Sequence, residues 1–212
     1  RINSKAGYRT SETSKFFYAA DFAFLSQLTP SYPGTAEAPG VLLDNVADTL
    51  TLSKFFSPAI INFSLGMDYK PNDIFSLFYS PVAYKGIYVA DDAIAALNVH
   101  GNEEGKNTFH NIGSLIRAVY TNKFANDKLL FTSNLSLYSN YLQQPENIDI
   151  DWQNQLDFEI IKNLNLSVLV NVFYDHDVLV QITDYDAPNG VSGVGRRVNL
   201  TQQLLIKYAR QF

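Results

Sequence analysis

The residues whose types suit chemistry in this chain are carboxylates and a few histidines. Asp175-His176-Asp177 places an imidazole and two carboxylates in consecutive positions. Such a set can activate water when a base lies within hydrogen-bond reach. Only three histidines are present, and His100 and His110 lie in a different part of the sequence. The plainer reading, a solvated strand end, is therefore preferred. Asp149, Asp151, Asp157 and Glu159 form a second group that faces one way on an extended segment. Rings of carboxylates favour cations, so these four could line a cation-selective passage. The competing reading is a polar interior in which they pair with Lys5, Arg9, Arg117 and Lys207; it is favoured, because a buried carboxylate without partners is costly. Asp91-Asp92, Asp184 and Asp186 offer oxygens of the kind Ca²⁺ takes, but no segment has EF-hand spacing. Gly101-Asn102-Glu103-Glu104-Gly105-Lys106 has a glycine spacing shorter than a P-loop requires and lacks its strand-to-helix context. No residue is assigned a catalytic or metal-binding role, the chain is read as a non-enzyme, and no cofactor is implied.

The elements that carry these residues are legible from periodicity. From Ile148 to Ile160 the even positions read Ile148, Ile150, Trp152, Asn154, Leu156, Phe158 and Ile160, and the odd ones Asp149, Asp151, Gln153, Gln155, Asp157 and Glu159. A period of two gives a strand with one apolar and one polar face; a helix would mix the two sets around its circumference. The same alternation recurs at Ile61, Phe63, Leu65, Met67 and Tyr69, at Leu129 to Leu137, at Leu166 to Tyr174, and at Val198 to Tyr208. Weaker members run over 1–10, 15–27, 74–90 and 113–124, which makes nine strands. Ser11–Ser14, Lys70–Asp73, Ala125–Asp127 and Lys162–Leu164 read as tight turns, and 28–56, 91–112, 141–147 and 178–195 as longer connections. Four Asn-x-Ser/Thr sequons, at Asn62, Asn134, Asn165 and Asn199, follow from the alternation and carry no signal.

Strict alternation of short and long connections is the pattern of a transmembrane barrel, with short periplasmic turns and long extracellular loops. The expected fold is all-β: a single antiparallel up-and-down transmembrane β-barrel domain. A soluble sandwich or lipocalin-type barrel also alternates, but its loops need not alternate in length, and it would carry more surface Lys and Glu. Composition agrees. The 212 residues include 13 Tyr and 15 Phe against 17% charged residues, and no Cys. The net charge of −5 argues against a nucleic-acid partner. No apolar run approaches the ~20 residues of a spanning helix.

Faces and direction follow. Asp149, Asp151, Gln153, Gln155, Asp157, Glu159, Arg117 and Lys207 are expected to face the lumen. Trp152, Leu156, Phe158, Phe63, Leu65, Leu204, Tyr208 and Phe212 are expected to face lipid. Asn154 and Gln202 interrupt the lipid-facing rows, which a β-bulge, a position near the interface or contact with another protein would each explain; Asn154, near mid-membrane, is the candidate partner contact. With short turns periplasmic, the last strand runs downward and the C-terminus is periplasmic. The chain starts at Arg1 without Met or a signal peptide, so it is either processed or begins partway through a longer protein. Barrels of this kind have even strand numbers, so an odd number of strands is expected before Arg1, giving ten or more in total.

Several stretches carry a resemblance. Ser4-Lys5-Ala6-Gly7-Tyr8-Arg9, Ser57-Pro58-Ala59 leading to Leu65-Gly66-Met67-Asp68-Tyr69-Lys70-Pro71, Phe75-Ser76-Leu77-Phe78-Tyr79-Ser80-Pro81 and Ile148-Asp149-Ile150-Asp151-Trp152 resemble an uncharacterised outer-membrane β-barrel family of the Bacteroidota, a domain of unknown function. The resemblance implies a bacterial outer-membrane location and further barrel sequence upstream, and it assigns no catalytic residue. Three functional classes remain: a structural or accessory barrel, within a larger envelope complex; a porin-like channel or transporter for small solutes; and a surface hydrolase at the extracellular rim. The expected partners are outer-membrane lipid and other envelope proteins. A lumen packed by Phe17, Leu25, Phe78, Leu169, Phe173 and Leu205 would argue against an open pore.

Overall fold

The computed structural model describes residues 2–32, 51–178, 180–183, 186 and 191–208. The alternating segments form strands β1 (Ile2–Arg9), β2 (Phe16–Ser26), β3 (Ala59–Tyr69), β4 (Phe75–Tyr88), β5 (Thr108–Phe124), β6 (Leu129–Asn140), β7 (Ile148–Ile161), β8 (Leu164–Tyr174) and β11 (Asn199–Tyr208). These nine make one sheet in the order β1-β2-β3-β4-β5-β6-β7-β8-β11, so each strand neighbours the next and the expected up-and-down sequence is present. The connections differ from expectation in two places. The segment 91–112 holds a short helix, α1 (Asp92–Ala96), and β5 begins at Thr108. The segment 178–195 holds a separate antiparallel pair, β9 (Val180–Thr183) and β10 (Val191–Gly195). Arg1, Asp184 and Phe212 lie outside the described residues.

Burial along the sheet is inverted relative to a water-soluble protein. In β3 the apolar Phe63, Leu65 and Met67 are 38–46% exposed, whereas Ser64 and Asp68 between them are 6% and 3% exposed. In β4, Phe78 and Ser80 are buried and Tyr79 is exposed. In β7, Trp152, Leu156 and Phe158 are exposed, while Gln155, Asp157 and Glu159 are half-buried. Soluble proteins leave scattered apolar residues exposed, but in β3 and in the Gln155–Glu159 part of β7 large apolar residues are exposed at alternate positions and the polar ones between them are sheltered, whereas Asp151 and Gln153 are exposed.

The chain groups into two compact units. One comprises Arg1–Gly7, Ala19–Leu65 and Val82–Ile112. Its core is a small cluster of Ile87, Val89, Ile94 and Ala95, joined by Ile60 and Phe109. Asp91 caps α1, accepting a hydrogen bond from the Ile94 amide at 3.0 Å, and pairs with Lys54. Its own amide donates to Ser57 Oγ at 3.0 Å. Asn102 closes the segment after α1 by donating to the carbonyls of Ala95 and Lys106, both at 2.8 Å.

The other unit comprises Tyr8–Tyr18, Gly66–Pro81 and Gly113–Phe212. Its antiparallel registers run without interruption from β5 through β6, β7 and β8 to β11, apart from one irregularity between Glu159 and Ile161. Its turns are tight for local reasons. Asn72 Oδ1 accepts from the amides of Ile74 and Phe75 at 3.1 and 2.9 Å, an Asx turn. Lys162-Asn163 turns β7 into β8 with Asn163 at φ 72°, a left-handed conformation that Asn tolerates.

Candidate functional site

Residues directly opposite in an antiparallel pair share a face, so the registers of the second unit sort every candidate. On the polar face, Arg117, Ser136, Asp151, Phe173 and Asn199 form one row. The next rows are Val119, Asn134, Gln153, Asn171 and Thr201, and then Thr121, Thr132, Gln155, Leu169 and Gln203. Below them come Lys123, Leu130, Asp157, Ser167 and Leu205, and Asn165 sits between Glu159 and Lys207. Asp149 lies opposite Tyr138. Asp149, Asp151, Gln153, Gln155, Asp157, Glu159, Arg117 and Lys207 thus lie in adjoining rows on one face of the sheet.

Asp157 is the best-satisfied carboxylate in these rows. Asp157 accepts from Ser167 Oγ, from Gln155 Nε2 at 2.6 Å and from Lys207 Nζ at 3.3 Å. Gln153 Nε2 donates to Asp151 at 3.2 Å. Asp127, Asp157, Glu159, Lys123, Lys128 and Lys207 border a cavity of about 290 Å³, where three carboxylates balance three cations. Leu169, Phe173 and Leu205 break the polar face with apolar bulk, and Phe78 is fully buried. Of the cations considered as partners, Lys207 reaches a carboxylate, whereas Arg9 turns to the Glu12 carbonyl at 3.0 Å.

The opposite face carries Trp152, Leu156, Phe158 and Leu204, with Phe63 and Leu65 exposed in β3. Leu204 and Tyr208 lie on β11, which is exposed along its whole length as an end strand; exposure there does not distinguish its faces. One row on this side differs from its neighbours: Tyr120, Ser133, Asn154, Val170 and Gln202 lie side by side. The two amides that interrupt separate strands in the sequence thus belong to a single polar stripe. Trp152 Nε1 donates to Ser133 Oγ at 2.9 Å, fixing the indole over that stripe.

Where β7 and β8 meet the longer connections, Asn140, Gln143, Gln144, Asn147, Asp149, His176 and Asp177 line a cavity of about 250 Å³. Its polar groups do not converge on a reacting atom. The His176 ring nitrogen Nδ1 meets Tyr174 Oη at 3.3 Å, and its backbone amide meets Asp149 at 3.4 Å. Asp175 accepts from the Asp177 amide at 2.9 Å, so the Asp175 carboxylate serves a turn. His100 Nε2 is 2.6 Å from the Leu52 carbonyl, and His110 Nδ1 is 2.7 Å from Tyr84 Oη. Asp92 accepts from Asn107 Nδ2 at 2.7 Å while Asp91 caps α1. Among the described residues, no group of three potential ligands is gathered for a metal ion.

A further cavity was not anticipated from the sequence. It measures about 570 Å³ and is walled by the turns after β1 and β3 together with Val119 and Thr121 of β5. Arg9, Lys15 and Lys70 line it, with Phe17 between them. These residues are far apart along the chain and follow no motif, so only the folded turns bring them together.

No protein-family model matches the chain, and no curated protein or solved structure matches it either.

Proposed function

We propose that this chain is an integral β-barrel protein of the bacterial outer membrane with a structural or accessory role, working beside other envelope proteins. The observation that carries this reading is the inverted burial: rows of large apolar side chains face outward and polar side chains take the sheltered positions. In lipid that arrangement is favourable, because apolar side chains suit the hydrocarbon and every buried polar group needs an internal partner. The short turns are then periplasmic, as is the C-terminus. The residues quoted above for the Bacteroidota family support the same location.

The polar face favours the structural role over the alternatives. Asp157 is satisfied internally, and Leu169, Phe173 and Leu205 interrupt the polar face with apolar side chains. Among the described residues the His176 ring meets Tyr174 Oη and not the carboxylate that a rim hydrolase would need. The polar stripe through Asn154 and Gln202 supports contact with a neighbouring protein at that height, because carboxamides in hydrocarbon require hydrogen-bond partners. Two measurements test the proposal. Purified protein folded into bilayers should show heat-modifiable migration and protease-resistant strands, and planar bilayers containing it should show no ohmic steps. Discrete conductance steps would replace the structural reading with the channel; failure to insert would remove the barrel.

A further inference from the structure

We propose that the cavity between the first two short turns binds a phosphate-bearing anion, gripped by Arg9, Lys15 and Lys70. The argument begins with charge. The whole chain carries −5, yet three cations line this one cavity against a single lining carboxylate, Asp73. Asp68 offsets Lys70 only at 3.7 Å, and the Lys15 ammonium has no ion-pair partner among the described residues.

The cations are also held in place. The Arg9 guanidinium carbon lies 5.1 Å and the Lys70 ammonium 5.6 Å from the centroid of the same Phe17 ring, within the range of cation–π attraction. Two like charges drawn to one ring repel each other, and an anion between them would relieve that repulsion. Arg9 uses one terminal nitrogen on the Glu12 carbonyl, which leaves most of its donor fork for a ligand. Asn72 spends its carbonyl oxygen on the turn, so its amide nitrogen remains as a further donor on the wall. Phe75, Ile74, Pro71 and Val119 give the same cavity an apolar side. A phosphate carrying a small organic body fits both walls: Arg and Lys supply charge-assisted hydrogen bonds to the phosphate oxygens, and the apolar wall covers the remainder.

Two sources could deliver this group, a soluble phosphate monoester entering from the short-turn side or the headgroup of an anionic phospholipid. The site stands on the geometry of the turns and does not need the membrane reading, although that reading decides which source reaches it. The test therefore has two arms on the full chain in detergent and in nanodiscs. Calorimetric titration of glycerol 3-phosphate into the detergent-solubilised protein should show saturable binding. Lys15→Gln should weaken it about tenfold or more, the usual scale for losing a hydrogen bond to a charged group. Lys162→Gln, at a different short turn, should leave it unchanged. In nanodiscs mixing phosphatidylcholine with phosphatidylglycerol, enrichment of phosphatidylglycerol that Lys15→Gln abolishes would assign the lipid as the source. If Arg9→Gln does not fold, Lys15→Gln alone decides, since its side chain makes no bond to another described residue that folding would miss. Absence of binding in both arms, or equal losses from Lys15→Gln and Lys162→Gln, would overturn the proposal. Failure of the chain to insert into bilayers would overturn the barrel reading and leave the detergent titration to judge the site.

Discussion

Replacing Leu156 by Arg tests the assignment of faces where it is most open to failure. β7 has fourteen residues and ends at Ile161. At ~3.4 Å per residue and a tilt of ~40°, Leu156 lies about 13 Å from the short-turn end of the strand, near the middle of an apolar band ~25 Å tall. An Arg on the lipid face at that depth costs about 2–4 kcal/mol. If the face met water instead, replacing a side chain that is already 36% exposed would stay within about ±0.5 kcal/mol, as surface substitutions do. Gln153→Arg, three residues away on the opposite face and exposed, is the internal control. The assay is reversible folding into short-chain phosphatidylcholine vesicles under a urea titration. It is followed through Trp152, the only tryptophan in the chain, which shares the face of Leu156. Leu156→Arg should lower the folding free energy by about 2–4 kcal/mol, and Gln153→Arg should leave it within about 0.5 kcal/mol. Equal effects from the two variants, whether both small or both large, would refute the face assignment.

Three further outcomes follow from the structure. Gly66→Ala should destabilise by about 1–3 kcal/mol in the same titration, because its Cβ would sit 2.0 Å from the Tyr79 carbonyl oxygen and 2.7 Å from Ser80 Cα, both backbone atoms; wild-type stability would show that the two strands separate at that point. The Asp91 carboxyl is held below its usual range, chiefly by the Lys54 hydrogen bond and then by the Ile94 amide. A depressed carboxylate stabilises above its unfolded value and loses that contribution as pH falls through the folded one, so protection of the α1 amides relative to their intrinsic exchange rate should fall on acidification below the ordinary carboxylate range. In Asp91→Asn the same amides should exchange without that acid dependence; an unchanged profile would shift the effect to another group. Asn154→Leu should leave insertion intact and weaken co-purification with a neighbouring envelope protein, and undiminished recovery of that neighbour would remove the polar stripe as a contact.

The sheet was legible in the sequence because side-chain period is a local property: Ile148 to Ile160 shows both faces of β7 without reference to any other strand. Pairing is not local. Asn154 and Gln202 can each be recognised as an interruption of an apolar row, but their membership of one stripe depends on the registers of β7 with β8 and of β8 with β11. The connection 91–112 was misread for a different reason. Asp91-Asp92 ahead of Ala93-Ile94-Ala95-Ala96 is a helix start, a capping residue before helix formers; as a cation-ligand candidate it looked like solvated acid. The Asn102 bonds that close the same segment leave no sequence signature, since either acceptor is a backbone carbonyl. Arg9, Lys15 and Lys70 were legible only as separate basic residues, two of them in turns.

Those basic residues change how the polar face is weighed. Its carboxylates suggest cation passage when they are read along β7 alone. Across the sheet, however, Asp157 is occupied by Ser167, Gln155 and Lys207, and the cavity below it gathers Lys123, Lys128 and Lys207. The cavity at the other short turns gathers Arg9, Lys15 and Lys70. A selective passage keeps one sign of charge unspent along its course and binds weakly enough to release. Here Asp157 is internally satisfied, the cavity below it balances its lysines with Asp127, Asp157 and Glu159, and cations exceed carboxylates in the cavity lined by Arg9, Lys15 and Lys70. Capture of an anion at the short-turn side follows more directly from that distribution than conduction of a cation through it.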